Sequence, residues 1–135
     1  MKIVFPILAG CIVLFVGIYV SGQMAFYEDF PYFDSVMHVL GGAVIGWLVF
    51  AHASVKGRPT PSLGLVLLIA IVIGLLWELA EYTSGLTMQG TVVYKYFHGG
   101  GCLDSLSDLA MAVLGATIAF ILHPKKLDSF KGLDT

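Results

Sequence analysis

At 135 residues the chain fits one domain, and 58% hydrophobic against 12% charged residues, with a mean hydropathy of +0.90, excludes a water-soluble globule. The formal net charge of −2 comes with no basic patch of the kind that binds nucleic acid, so the first expected partner is membrane lipid. The two cysteines, Cys11 and Cys102, fall at different expected depths, imply no internal disulfide, and form no metal or redox motif.

In chain order, residues 3–21 are apolar apart from Pro6 and small residues, and they are long enough to span a bilayer. Leu8-Ala9-Gly10-Cys11 has the look of a lipoprotein cleavage box. The stretch before it is too short for a secretory signal and the apolar run continues beyond it, so an uncut first span is the simpler reading. The outer loop 22–34 carries Glu28, Asp29 and Asp34 among Phe26, Tyr27, Phe30, Tyr32 and Phe33, a density of aromatics typical of an interfacial belt. Residues 35–54 form the second span, with a Gly42-xxx-Gly46 pair that admits a neighbouring backbone. A short turn with Lys56, Arg58, Pro59 and Pro61 leads to the third span, 62–83. The outer loop 84–103 holds Tyr94, Tyr96, Phe97 and Gly99-Gly100-Gly101, and is read either as a plain interfacial loop or as a lid. The fourth span, 104–122, ends in a short tail, 123–135.

This pattern predicts an all-α polytopic membrane protein, a four-transmembrane-helix bundle. Lys2, Lys56, Arg58, Lys125, Lys126 and Lys131 fall on one side of a four-span chain and only Lys95 on the other, which places both termini in the cytoplasm and the protein in the inner membrane.

Three acid-bearing pairs then share the outer end of the bundle. Asp34 with His38 opens the second span, Glu78 with Glu81 closes the third, and Asp104 with Asp108 opens the fourth. Residues three or four apart share a helix face. Asp34, Glu81 and Asp104 lie nearest the water, while His38, Glu78 and Asp108 lie about one turn, roughly 5 Å, deeper. Charge at membrane depth costs a few kcal/mol, and no Lys or Arg occurs in any span to offset it. The cluster must therefore bind cations or hold protons. Imidazole and carboxylates converging from separate helices are ligands for a divalent ion such as zinc, manganese, iron or magnesium. His38, Glu78 and Asp108 are the expected inner ligands; Asp34, Glu81 and Asp104 are the expected outer ligands or general base.

Plainer roles exist for each residue. Asp34 and Asp104 sit where a carboxylate caps a helix N-terminus or complements its dipole. Glu81 can be an interfacial charge, and His38 a hydrogen-bonded core histidine. His52, His98 and His123 are expected to be solvated or interfacial, and Trp47 and Trp77 to pack or anchor, with Trp77 able to wall the site.

The segments D-S-V-M-H at Asp34 to His38, W-E-L-A-E at Trp77 to Glu81 and D-S-L-S-D-L-A-M-A-V-L-G-A at Asp104 to Ala116 resemble the motifs of small VanZ-like integral membrane proteins and related uncharacterised inner-membrane families. One departure is Ala112, where such proteins usually carry Asp or Asn. The resemblance implies an envelope-associated role, with glycopeptide resistance in a few members, and no settled chemistry. Two functional expectations result. One is a metal-dependent hydrolase or transferase acting on a lipid-linked or envelope substrate. The other is a non-enzymatic cation- or proton-binding module, or a scaffold whose acids hydrogen-bond one another. The absence of polar residues between Gly41 and Phe50 or between Leu65 and Leu76 argues against a conducting path.

Overall fold

The computed structural model describes residues 4–20, 30, 32–87 and 101–123. Four helical segments make up nearly all of it: α1 (Val4–Leu14), which continues as a π-helical stretch over Phe15–Val20, α2 (Phe33–Val55), α3 (Leu63–Thr87) and α4 (Cys102–Leu122). Three of them, α2, α3 and α4, are long and apolar enough to cross a membrane. The first is shorter: Val4–Tyr19 rises roughly 24 Å at about 1.5 Å per residue, less than the ~30 Å of a hydrocarbon core.

Helix boundaries move the acids relative to expectation. The second span opens at Phe33 rather than at residue 35, after a turn closed by Phe33 N–H donating to Phe30 C=O at 2.9 Å, so Asp34 belongs to the first helical turn. Its N-cap is Tyr32 and that of α4 is Gly101, neither with a side-chain capping bond, so Asp34 and Asp104 are first-turn residues and not caps. The third span runs on to Thr87, beyond residue 83. The proposed lid (88–100), the aromatics Phe26 and Tyr27, and the tail from 124 onward lie outside the described residues.

The turn between α2 and α3 follows from its sequence. Arg58 N–H donates to Ala53 C=O and Gly57 N–H to Ser54 C=O, the paired bonds that close a helix over a left-handed residue; Gly57 has φ +62° and is the residue type that adopts it without strain. Pro59 then bars continuation, and Ser62 Oγ accepts from Leu65 N–H to start α3.

Packing rests on small residues. In lipid the solvent is as apolar as the side chains, so helices associate through close van der Waals contact. The α2–α4 pair is the tightest, and the two helices run parallel, with α3 antiparallel to both. A Cβ on Gly42 would fall on the Ala112 carbonyl, one on Gly46 would sit 2.7 Å from the Ala119 Cβ, and one on Gly115 would fall on the Val39 carbonyl. The third helix approaches less closely: Gly74 meets α4 through the Leu109 side chain, which a Cβ would reach at 2.9 Å. Helix α3 buries only the stripe Val66, Ala70 and Gly74, while Leu68, Leu75, Leu76 and Leu79 face outward, as a lipid-facing helix does. A small core of Phe50, Val66, Ala70 and Ala116 occupies the end of the bundle nearest the Lys56–Arg58 turn, where His123 stacks on Phe50 at 3.9 Å between ring centres. The opposite end carries the acids.

Candidate metal centre

The register of α2 against α4 builds the site. Along both helices the contacts advance by four residues: Gly42 lies against Ala112, and Gly46 against the Ala116 and Ala119 region. One turn toward the N-terminus of each helix, the same face presents His38 and Asp108. Backbone contact one turn away leaves these two side chains no room to avoid each other. His38 Nε2 lies 3.8 Å from Asp108 Oδ2 and 3.7 Å from Asp34 Oδ1, the latter one turn along its own helix. Asp108 is 3% exposed, and His38 and Asp34 are partly buried.

One donor atom from each of Asp34, His38 and Asp108 lies within 4.8 Å of the others. Two donors held about 2.0–2.2 Å from an ion stand at most ~4.4 Å apart, so both histidine–carboxylate separations already fit.

The other three acids surround this group without joining it. Glu78 and Glu81 near the end of α3 and Asp104 in the first turn of α4 stand at the same end of the bundle as Asp34, His38 and Asp108. The expected inner layer of His38, Glu78 and Asp108 thus differs from the observed close group, in which Asp34 stands in place of Glu78. The reason is spacing between helices: α3 is held off α4 by the Leu109 side chain, whereas α2 touches α4 backbone to backbone. Glu78 still turns inward, with its Oε1 buried and without a hydrogen-bond partner. Glu81 is tied differently: the Trp77 indole N–H donates to its Oε1 at 2.8 Å. Asp104 is exposed in the first turn of α4.

Some features have no clear signature in the chain. The Trp77–Glu81 bond is an i,i+4 pair visible only as spacing. A cavity of about 350 Å³ also begins at Asp34, His38 and Glu81 and extends between α1, α2 and α3, lined mostly by apolar side chains. Ala112 lies on its wall, one turn below Asp108, and brings no polar atom of its side chain to it.

The family described as "Predicted membrane protein (DUF2238)" matches residues 3–128. An uncharacterized protein of Thermotoga maritima is 32% identical over 117 residues, covering 82% of this chain and 58% of that protein. The chain therefore spans little more than half the length of that relative. No solved structure matches it. With nearly the whole chain matched and three helices built to cross a bilayer, the protein belongs to the DUF2238 family of membrane proteins.

Proposed function

We propose that Asp34, His38 and Asp108 hold a divalent metal ion, with Glu78 as a fourth ligand, and that the ion serves a hydrolase or transferase acting on a lipid-linked or envelope substrate. The observation that carries this reading is the meeting of three donors from two helices, inside a bundle whose described helices contain no Lys or Arg. A histidine with carboxylates suits zinc, manganese or iron, and magnesium where water completes the shell. A bound ion lowers the pKa of its water and polarises a phosphoryl or carbonyl oxygen. In this scheme Glu81 or Asp104, nearer the water, takes the proton as general base.

On this reading the protein is a relative of the VanZ-like families, a kinship supported by motif order. It lies in the inner membrane with residues 3–21 as a fourth crossing, both termini inside and the site outward, supported by the distribution of Lys and Arg.

Elemental analysis of purified protein, loaded with zinc or manganese and desalted, tests the assignment. The parent should hold about one ion per chain, and His38→Ala and Asp108→Asn about a tenth of that or less, as expected when a ligand is lost. A parent without metal would sink the reading. It would leave the non-enzymatic one, a proton- or cation-binding module or scaffold, which the Trp77–Glu81 hydrogen bond supports by showing one acid satisfied from within the protein.

A further inference from the structure

The cavity below the acids has an unusual wall. Helix α1 packs chiefly on α2, and α3 chiefly on α4, so α1 and α3 flank a cleft floored by α2. At its head are Asp34, His38 and Glu81; farther in the lining is apolar, including Ile45, Leu48 and Ile73. Gly41 lies on this wall, and a Cβ built there meets nothing within 4 Å. Its neighbour Gly42 is demanded by the Ala112 backbone, but no helix contact demands Gly41. Glycine inside a helix costs about 0.5–1 kcal/mol relative to alanine, so its use at 41 is the space that it leaves in the cleft.

An apolar space of about 350 Å³ in a membrane-spanning bundle lies within reach of hydrocarbon. Water gains nothing there, because the deeper lining offers it no partners. The matching occupant has an apolar tail for the depth of the cleft and a polar group for its head. We propose that the cleft takes one hydrocarbon chain of a bilayer lipid, entering sideways between α1 and α3, so that the lipid's polar group rests at Asp34, His38 and Glu81. This deepens the proposed function by naming the substrate class as a membrane lipid held by its chain. It rests on that reading only for what the polar group meets.

Trp77 lines the cleft, and the other tryptophan, Trp47, packs against Phe5 with its ring tilted and the ring centres 5.8 Å apart. In a Trp47→Phe background, fluorescence therefore reports on Trp77 alone. The protein is reconstituted, metal-free, into phosphatidylcholine vesicles carrying bromines on one acyl chain, which quench an indole in contact with them. Gly41→Leu and Ile45→Phe fill the cleft from two levels, and circular dichroism checks their helix content. The expected result is about twofold less quenching of Trp77 in both filled variants, because a close-packed space admits no chain. Equal quenching in parent and filled variants would mean that only lipid surrounding the bundle reaches Trp77, and would overturn the proposal. The assay contains no metal, so its failure leaves the metal analysis standing. A metal-free parent, in turn, leaves the quenching result intact.

Discussion

Asp108 is the one buried polar or charged side chain among the described residues, and its nearest ionic partner is an imidazole at 3.8 Å, too long for a hydrogen bond. Glu78 shares the difficulty, with a buried carboxylate oxygen that accepts nothing. Buried acids without donors are costly, and like charges around them add to the cost. Glu78→Gln separates the two roles this residue can have. With the charge removed, the metal-free protein should melt at a higher temperature, because repulsion within the cluster falls. If Glu78 is the fourth ligand, the same variant binds zinc about tenfold more weakly. Asp104→Asn, at an exposed and screened position, should change zinc affinity by less than about threefold. Thermal melts in detergent and competition titrations with a chelating dye read both quantities. Unchanged zinc affinity in Glu78→Gln would remove the residue from the ligand set. Ligation also displaces protons, so parent affinity should fall as the pH is lowered.

At the scale of helices, the site exists because α2 and α4 touch along small residues. Gly42→Ala and Gly115→Ala each place a methyl on a facing carbonyl, and overpacking of this kind costs about 1–3 kcal/mol. Both should lower the melting temperature. Both should also weaken zinc binding with every ligand intact, since separating the helices draws His38 from Asp108. Gly41→Ala is the control: open space receives its methyl, and helix propensity favours it, so stability should equal or slightly exceed that of the parent. If all three variants behave alike, helix contact does not set the site. The Gly42-xxx-Gly46 pair and the shared end of the three acid pairs were legible in the chain, because helical spacing is a local property. Which neighbour closes on Gly42 was not legible. It depends on Gly115 and Ala112, about 70 positions away, and on Leu109 holding α3 back. That long-range detail is why Asp34, and not Glu78, completes the close group. The start of α2 was missed for a local reason: Phe33 begins the helix without a side-chain cap to mark it.

For the whole molecule, parallel α2 and α4 with antiparallel α3 put the acids at one end and the Lys56–Arg58 turn at the other, whichever way the bundle faces. Hydropathy made the three long helices legible, whereas the first segment, apolar over the expected length, is a shorter helix that ends in a π-helical stretch. The proposed direction of insertion rests on charge, since cytoplasmic loops collect Lys and Arg. It decides which side of the membrane supplies the metal ion and the polar group of the substrate. Cys102, exposed at the first residue of α4, marks the acidic end, and Cys11 lies within α1. In spheroplasts expressing Cys11→Ser protein, a membrane-impermeant maleimide should label Cys102 without permeabilisation. In a Cys11→Ser, Cys102→Ser background, Lys56→Cys should be labelled only after the membrane is opened. The reverse pattern would turn the acidic end toward the cytoplasm, where neither an envelope substrate nor the outer leaflet could reach it, and the proposed substrate would have to come from the inner leaflet.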